Sequence, residues 1–485
     1  MHTRQTTWWE NASTDEIHHR QGLILTHFLK NRVLPFARYY RNVFKSEGLQ
    51  AGDIRSTDDL IKLPFTGKAD LSETRDFVIV PDEATLKKQW SSLKLALRYG
   101  PRGAQRRLQR ELRPIFMTST TGRSSTSIPF VYTQHDLDRL EISGRRLMQV
   151  CQSKPEYRHV NAFPFAPHLA FWQAHYAGLG YNTFTLSTGG GKTMGTDGNV
   201  RVISTLNPDA IIAMPTFLYH MLQEAAEQKA RWPQLKSLVL GGEKVPEGMR
   251  RKLRELCQSI GAEQVSIMST YGFTEAKVAW SECPVAPGET SSGFHIYPDF
   301  GFVEVIDPAT GERVPDEQPG EIVFTQLDAR GSIVLRYRTG DLIEHGITYK
   351  PCPHCGRTCP RLLGKISRVC DIHHLKLDKL KGTLVDFNQL EHLIDDTPGI
   401  GAWQLEIRKQ NDDPLDVDEL IIHVVALKGA SDLTRTIQHR FQQQVEITPN
   451  RIEFHSWKEM RKLQGVGHEL KEQKVIDHRP KGPQS

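Results

Sequence analysis

The sequence predicts an α/β protein in which a large N-terminal domain is followed by a small α+β C-terminal domain. Residues 115–342 alternate short apolar runs with amphipathic helical stretches, a pattern typical of βα units around a mainly parallel sheet. Within them, residues 302–324 contain two runs typical of antiparallel strands, which indicate a small β-rich subdomain. Near the end of the chain, further helix and strand patterns cover a segment as long as a typical small domain. We therefore expect the domains to cover residues 1–363 and 364–485.

Composition excludes several classes of protein. The chain has 485 residues, more than one hydrophobic core usually supports. No stretch approaches the roughly 18 apolar residues of a membrane-spanning helix, and the N-terminus lacks the apolar segment of a signal peptide. A net charge of +5 is too small to indicate nucleic acid. We therefore expect a cytoplasmic protein with neither a membrane nor a nucleic-acid partner. A homodimer is among the oligomeric states that the sequence leaves open.

Residues 84–113 form a locally basic segment. It carries nine lysines and arginines, spread along a stretch with helical spacing. Such a run is usually the solvated face of a helix, here within an insertion. We favour that interpretation over a phosphate-binding or partner-docking surface.

A run of hydroxyl side chains around a glycine follows the apolar pair Ile115 and Phe116. The run contains Ser119, Thr120, Thr121, Gly122 and Arg123. Backbone N–H groups and hydroxyls in such a loop bind phosphate oxygens, and an arginine adds positive charge; an ordinary solvated loop is the alternative. A second glycine-rich stretch, residues 188–193, departs from the nucleotide P-loop because Leu186 stands where that motif has glycine. We predict a flexible loop there.

Two acidic residues lie at the ends of predicted strands. Glu275 belongs to the segment 269–276, and Asp341 belongs to the segment 337–342. Open α/β sheets bind ligands at the carboxyl ends of their strands, although either acid alone could be an ordinary loop carboxylate. The hydroxyl-rich run and these two segments, found together in this order, indicate a ligand-binding site much more specifically than any one of them does alone.

With these three segments in this order, the chain resembles the phenylacetate-CoA ligase family of adenylate-forming enzymes. The similarity covers nearly the whole chain and includes residues 34–40, 58–71, 241–243 and 382–391. The resemblance implies that a carboxylic acid reacts with ATP to give an acyl-adenylate, which then forms a thioester with coenzyme A. It also implies a need for Mg²⁺ and a mobile C-terminal lid domain.

The resemblance implies roles for individual residues. Phosphates would be held by Ser119, Thr120, Thr121, Gly122 and Arg123, with Lys68 as a further contact; adenine would lie against Gly241, Gly242 and Glu243; and Tyr271 and Gly272 would line the adenylate pocket. Thr274 would touch the reacting phosphate, Glu275 would bind Mg²⁺, Asp341 would hold the ribose, and Lys471, in a tail similar to the family's, would be the catalytic lysine.

Chemistry supports these roles and leaves the acceptor open. Oxide is too poor a leaving group for a thiol to displace from a carboxylate, so activation must place negative charge on a phosphate that cations and N–H donors stabilise.

The hinge, residues 364–368, departs from the family's pattern. A carrier protein's phosphopantetheine, or another nucleophile, is therefore an alternative acceptor to coenzyme A. An inactive zinc-stabilised binding protein is a less favoured reading, because Glu275, Asp341 and Lys471 are all present.

A cysteine cluster indicates a structural metal site. Seven cysteines, an odd number, argue for reduced thiols rather than a disulfide framework. Cys352 and Cys355 form a Cys-x₂-Cys turn, which is half of a tetrahedral zinc site. The resemblance supplies Cys283 and His295 as the other two ligands. Cys359 and His354 are rival ligands, and reduced cysteines packed in a loop are the alternative to any metal.

Aromatic residues indicate the acid-binding pocket, although many of them must also pack the core. The resemblance places the acyl pocket at residues 163–173 and 214–217, so the predicted lining residues are Phe163, His168, Phe171, Trp172 and Met214. An aryl or arylalkenoyl acid fits such a pocket because flat rings stack well in an aromatic slot. His168 would either orient the carboxylate or be hydrogen-bonded in the core.

Overall fold

The structure is a computed structural model that describes residues 7–120, 127–286, 288–368, 378–380, 383–385, 387–409, 418–427, 432–445, 448–466 and 473–478. The chain divides into two compact units. Unit 1 comprises residues 1–159, 166–186 and 266–367, and unit 2 comprises residues 160–165, 187–265 and 368–485. Among the described helices, none combines the length and apolar character that crossing a membrane requires.

The described α-helices are numbered in chain order. They are α1 (Trp8–Asn11), α2 (Thr14–Phe28), α3 (Leu34–Phe36), α4 (Arg38–Ser46), α5 (Glu83–Lys88), α6 (Trp90–Leu112), α7 (Gln134–Val150), α8 (Leu169–Tyr181), α9 (Gly190–Leu206), α10 (Pro215–Glu227), α11 (Glu247–Ser259), α12 (Phe387–Asp395), α13 (Leu433–Val445) and α14 (Trp457–Leu463). A π-helical turn, Leu29–Val33, joins α2 to α3.

The strands are numbered in the same way. They are β1 (Pro114–Ser119), β2 (Pro129–Thr133), β3 (Arg158–Asn161), β4 (Phe184–Ser187), β5 (Ala210–Ala213), β6 (Ser237–Leu240), β7 (Ser266–Phe273), β8 (Val278–Ser281), β9 (Phe294–His295), β10 (Gly301–Ile306) and β11 (Gly320–Gln326). They continue with β12 (Tyr337–Ile343), β13 (Ile347–Thr348), β14 (Arg361–Leu362), β15 (Ile366–Arg368), β16 (Asp378–Leu380), β17 (Thr383–Val385), β18 (Ile400–Lys409), β19 (Asp418–Ala426), β20 (Arg451–Phe454) and β21 (Val475–Asp477).

Unit 1 contains antiparallel sheets around an aromatic core. Strands β10, β11, β12 and β15 form one sheet in that order, and β13, β14 and β9 form another. The antiparallel pairing of β10 with β11 confirms the β-rich part predicted at residues 302–324. Trp280, Tyr297 and Phe324 are fully buried at the centre of the core, and apolar burial on this scale is the main term that stabilises a fold.

The basic segment is helical, as predicted. Helices α5 and α6 cover nearly all of residues 84–113, and Gly100, with φ of 71°, interrupts α6 just before Pro101. Helix α7 follows β2 and begins with a capping box. In that box Thr133 and Asp136 satisfy backbone N–H groups that the first turn would otherwise leave unpaired.

Unit 2 contains the βα pattern that the sequence predicted. Strands β5 and β6 pair in parallel, with Ala210 opposite Ser237, and each strand is followed by a helix. Proline in the first turn of α10 fits a position that needs no N–H hydrogen bond. The α/β prediction is therefore confirmed. The prediction of a flexible loop at residues 188–193 is wrong, because α9 begins at Gly190.

The last part of the chain lies in unit 2 and forms its own sheet, in the order β20-β19-β18-β21. One face packs against α12 and α13 through buried residues such as Leu405, Ile422 and Phe441. On the other face, Ala402 and Val425 pack with Met460 of α14. Successive residues of these strands therefore pack against α12 and α13 on one face of the sheet and against α14 on the other.

Candidate active site

Both ends of the hydroxyl-rich loop are fixed by hydrogen bonds. The N–H of Ser119 donates to the carbonyl of Pro167 at 2.6 Å. The N–H of Thr120 donates to the carbonyl of Ile128 at 3.0 Å, and the N–H of Ile128 donates back to the Thr120 hydroxyl at 3.0 Å. The loop therefore starts and closes at a defined point at the end of β1. The remaining predicted phosphate contacts, Thr121, Gly122 and Arg123, lie outside the described residues.

His168, predicted to line the acid pocket, lies beside this loop. Its Nδ1 is 3.0 Å from the carbonyl oxygen of Ser119, to which it donates if Nδ1 carries the proton. The same residue precedes α8 at its N-cap position. His168 thus connects the start of the hydroxyl-rich loop to the helix that carries Phe171 and Trp172.

Glu275 is a buried carboxylate at the end of β7, with 7% of its surface exposed. The phenol of Tyr337 donates a hydrogen bond of 2.9 Å to its Oε1, and the side chain of Gln326 donates to its backbone carbonyl at 2.9 Å. Burial of a carboxylate is costly unless hydrogen bonds or cations compensate it. This environment distinguishes Glu275 from an ordinary loop carboxylate.

Asp341 and Tyr271 meet in unit 1, although 70 positions separate them in the sequence. The Tyr271 phenol donates to Oδ2 of Asp341 at 2.7 Å, and the N–H of Asp341 donates to the Thr339 hydroxyl at 3.0 Å. Asp341 is only 3% exposed. The tyrosine of one motif therefore orients the acid of the other.

The turn after Tyr271 has little space for side chains. A Cβ on Gly272 would lie 2.8 Å from Cβ and 2.9 Å from Cα of Ala279 on the neighbouring strand β8, a distance that real contacts do not reach. Glycine is therefore required by packing here. Thr274 begins a short 3₁₀ turn, and its carbonyl accepts from the N–H of Lys277.

Lys68 is exposed on a loop that is fixed to β12. Thr66 forms a bridge with Tyr337, the residue that contacts Glu275, and the Thr66 hydroxyl donates to the carbonyl of Leu335 at 2.9 Å. The N–H of Gly67 donates to Asp70, which closes the turn that carries the lysine. The position of Lys68 therefore depends on the strand that also carries Asp341.

The predicted adenine-binding residues follow β6 in unit 2. Oε2 of Glu243 accepts from the N–H of Thr216 at 3.1 Å and from its hydroxyl at 2.8 Å, at the N-terminus of α10. A carboxylate is favoured there because the first N–H groups of a helix are unpaired and carry partial positive charge. The N–H of Gly241 donates to Ala213, and a Cβ on Gly242 would lie 3.8 Å from the side chain of Met214. The structure thus brings these residues together with Met214.

The aromatic residues predicted for the acid pocket divide between the units. Phe171 and Trp172 pack edge to face in unit 1, with ring centroids 5.1 Å apart, and Trp172 also contacts Phe116 at 4.8 Å. Phe163 belongs to unit 2 and is 5% exposed. Phe116 precedes the phosphate loop and was not predicted to be part of this cluster.

The four predicted zinc ligands converge in unit 1. Sγ of Cys283 is 3.7 Å from Sγ of Cys352, and Sγ of Cys355 is 3.2 Å from Nε2 of His295. The four ligand atoms all lie within 4.8 Å of one another. Cys359, one of the rival ligands, is fully buried outside this group.

The donor set fits a tetrahedral zinc ion. With bonds of about 2.3 Å to sulfur and about 2.0 Å to nitrogen, neighbouring donors would be roughly 3.5 to 3.8 Å apart. His295 can donate from Nδ1 to the carbonyl of Ser281 at 3.3 Å, which would leave the Nε2 lone pair directed at the cysteines. The hydrogen bond between Cys283 and Cys352 lowers the pKa of Cys352 and raises the pKa of Cys283, so one thiol of the pair holds a proton when no metal is bound.

Sequence reasoning missed two parts of this site. Tyr337 contacts Glu275, but nothing in its local sequence indicates that role. The ammonium of Lys277 lies 3.3 Å from Asp136 and donates to the carbonyl of Val131 at 2.8 Å, and both charged side chains are almost fully buried. This ion pair joins the turn after Glu275 to the start of α7. The predicted catalytic Lys471 lies outside the described residues.

Comparisons with known proteins give a matching family profile and similar sequences. The profile of the AMP-binding enzyme family matches residues 163–328. The chain is 27% identical over 344 residues to a phenylacetate-coenzyme A ligase of Pseudomonas putida, covering 69% of this chain and 67% of the relative. It is 26% identical over 445 residues to the phenylacetate-coenzyme A ligase of Escherichia coli K12, covering 89% and 87%.

A solved structure has the same fold. The 2-hydroxyisobutyryl-CoA ligase in complex with 2-HIB-AMP superposes with a TM-score of 0.74 at 20% identity, covering 97% of this chain and 92% of that one. Residues 163–328 thus match the AMP-binding enzyme family, and most of the chain is similar in sequence to phenylacetate-coenzyme A ligases at 26–27% identity.

Proposed function

We propose that the protein is an AMP-forming acid–CoA ligase. A carboxylate oxygen of the acid attacks the α-phosphorus of ATP and pyrophosphate leaves. The thiol of coenzyme A then attacks the acyl carbon of the adenylate, loses its proton, and releases AMP. The observation that carries the proposal is the pair of buried motif acids, each bonded to a tyrosine: Asp341 to Tyr271 and Glu275 to Tyr337.

The nucleotide would use residues from both motifs of unit 1. Asp341 is an acceptor suited to the ribose hydroxyls, and its bond to Tyr271 fixes its orientation. The loop that begins at Ser119 and Thr120 supplies donors for the phosphates, with Thr121, Gly122, Arg123 and Lys68 completing the set by family resemblance. By the same family resemblance, Gly241, Gly242 and Glu243 would contact the adenine.

Glu275 would hold the magnesium ion. Mg²⁺ prefers carboxylate oxygens and would neutralise charge on the phosphates when bound. The Tyr337 hydrogen bond fixes one of the carboxylate oxygens of Glu275. Thr274, directly before it, would touch the reacting phosphate. Lys471 would add a positive charge at the α-phosphate during adenylation.

We infer that the substrate is an aryl or arylalkenoyl carboxylic acid. The support is the edge-to-face cluster of Phe116, Phe171 and Trp172 beside the phosphate loop, an environment in which a planar ring packs well. The relatives from Pseudomonas putida and Escherichia coli are named for phenylacetate. Phe163, Met214 and His168 would complete the pocket.

The cysteine cluster would hold one structural zinc ion. Its ligands would be Cys283, His295, Cys352 and Cys355, a set that leaves no open coordination position. The ion would therefore stabilise the β9–β14 region without taking part in the reaction. We also propose that residues 364–485 act as the lid domain and that residues 1–363 hold the substrates.

Thioester formation from candidate acids tests the proposal. The full chain is incubated with ATP, Mg²⁺ and a panel of aromatic acids, with coenzyme A, a phosphopantetheinylated carrier protein or neither, and AMP and thioester are measured. Acyl-CoA and stoichiometric AMP from an aryl acid are the expected result. Thioester formation on the carrier protein alone would identify the carrier protein, rather than coenzyme A, as the acceptor. AMP formation with no acid would contradict the proposal.

A further inference from the structure

A second group of potential metal ligands lies in the C-terminal sheet of unit 2. It consists of His423 on β19 and of Glu453 and His455 at the end of β20. The register of the parallel pair β19–β20 places His423 beside Glu453. Because side chains alternate along a strand, His455 lies on the same face two residues further on. The neighbours Ile422 and Val424 point to the opposite face, into the core.

The three donor atoms converge on one point. Nδ1 of His423 is 2.9 Å from Nε2 of His455 and 3.4 Å from Oε2 of Glu453, and Nε2 of His455 is 3.9 Å from the same oxygen. Donors around a tetrahedral zinc ion with bonds of about 2.0 Å would be roughly 3.3 Å apart. The three measured distances between donor atoms, 2.9, 3.4 and 3.9 Å, therefore bracket the spacing of about 3.3 Å expected around a zinc ion.

Two further residues orient these ligands. Nε2 of His423 lies 2.9 Å from Oε2 of Glu406, so a proton on Nε2 leaves the Nδ1 lone pair directed at the cluster. Arg451 lies 3.4 Å from Oε1 of Glu453, which leaves Oε2 facing the two histidines. Carboxylate–histidine pairs of this kind typically fix the tautomer and orientation of a metal-bound imidazole.

Two imidazole nitrogens 2.9 Å apart have either a proton or a metal ion between them: the N–H of one ring donates to the lone pair of the other, or both lone pairs bind an ion. The nearby carboxylate favours the ion because it supplies a third donor and negative charge. Two imidazoles and one carboxylate form a donor set that suits Zn²⁺ and other first-row divalent ions. Glu453 is 38% exposed, so an ion and a water ligand have access from solvent.

We propose that His423, Glu453 and His455 bind a second divalent transition-metal ion, Zn²⁺ foremost, with Glu406 as the positioning residue of His423. Water takes the remaining coordination position. The ion connects β20, an outer strand of its sheet, to β19. Its ligand His455 directly precedes Ser456, the residue that caps α14. It therefore stabilises the edge of the C-terminal sheet and the start of that helix.

Metal stoichiometry tests the proposal. The full chain, depleted with a chelator, is titrated with Zn²⁺ against a competing indicator, and His455→Ala and Glu453→Gln are compared with wild type. Each variant should bind one equivalent fewer than wild type. Glu406→Gln should retain the equivalent with affinity weakened by roughly 10- to 100-fold. His439→Ala, an exposed histidine on α13, is the control and should match wild type.

Titration with Co²⁺ separates the two sites and reports on folding. Thiolate ligands give an intense charge-transfer absorption, whereas a site of histidine and carboxylate gives only weak visible bands. Loss of the weak bands in Glu453→Gln, with the thiolate absorption intact, would support the proposal in a folded protein. Equal Zn²⁺ stoichiometry in wild type and both ligand variants would overturn it and leave a proton shared between the two imidazoles.

Discussion

The Tyr271 phenol donates a hydrogen bond of 2.7 Å to Asp341, which joins the two motifs that the sequence places at separate strand ends. If Asp341 holds the ribose as proposed, loss of this bond removes one of the groups that fix the orientation of its carboxylate. Tyr271→Phe should therefore raise KM for ATP about tenfold, the effect of losing one hydrogen bond to a charged group, with a smaller change in kcat. Steady-state kinetics at saturating acid measures this.

Tyr176→Phe is a suitable control for that variant, because Tyr176 lies on α8 of the same unit and is only partly buried. It should leave KM for ATP unchanged. An unchanged KM in Tyr271→Phe would remove Asp341 and Tyr271 from the nucleotide site.

Glu275→Gln should bind ATP but lose adenylation. The substitution removes one negative charge and keeps the size of the side chain, so it weakens Mg²⁺ more than it weakens contacts with the adenine. Carboxylate-dependent ATP–pyrophosphate exchange should fall by at least a hundredfold, a scale typical of lost electrostatic stabilisation. Binding of a fluorescent ATP analogue should persist. Normal exchange in this variant would exclude Glu275 from the mechanism.

Lys471→Ala should separate the two half-reactions. If its ammonium stabilises only the adenylation transition state, acyl-AMP formation slows by about a hundredfold or more, while a supplied acyl-AMP is still converted to thioester. Lys474→Ala is the matched control, because Lys474 lies 3.6 Å from Asp395 and packs over Trp403. Equal losses in both half-reactions would instead indicate general damage to the C-terminal domain.

Cys355→Ser should release the structural zinc and lower the melting temperature. Three remaining ligands hold zinc less tightly, and metal affinity contributes directly to folding stability. Metal analysis should give one equivalent less than wild type. Cys257→Ala, a buried cysteine on α11 outside the cluster, should retain the metal. Zinc retained in full by Cys355→Ser would indicate that Cys359 or His354 is a ligand instead.

His220 should make stability sensitive to acid. Burial lowers the pKa of this histidine to about 3, and its Nε2 lies 3.0 Å from Oε1 of Gln464. The unfolded state, with a pKa near 6.5, binds the proton first, so the free energy of unfolding falls as pH decreases from about 6.5 towards 3. His220→Gln should flatten this dependence in urea titrations at several pH values, and His439→Gln should not. A profile in His220→Gln as steep as that of wild type would contradict this assignment.

The fold was largely predictable because its βα pattern is local. The run that became β5 and the helix after Pro215 have strong periodicity, so their positions followed from the sequence. Helix α9 was missed because glycines at its start have low helix propensity. A Cβ on Gly190 would lie 2.7 Å from the carbonyl of Ala162, so packing selects a residue that propensity disfavours.

Candidate site residues could be predicted where they lie in contiguous motifs. Asp341 and Glu275 were predicted in that way, but the contact of Tyr337 with Glu275 was not, because it depends on strand placement rather than spacing. The same reason explains why His423 and His455 were missed: 32 positions separate them, and only the β19–β20 register brings them together.

The most direct test of the central claim follows an oxygen atom. The acid is labelled with ¹⁸O in both carboxylate oxygens and incubated with the enzyme, ATP, Mg²⁺ and coenzyme A, and the AMP and pyrophosphate are analysed by mass spectrometry. If the carboxylate attacks the α-phosphorus of ATP, each AMP gains one ¹⁸O, because the oxygen that bridges acyl carbon and phosphorus stays on phosphorus. AMP without the label, or label in orthophosphate, would contradict an acyl-adenylate intermediate.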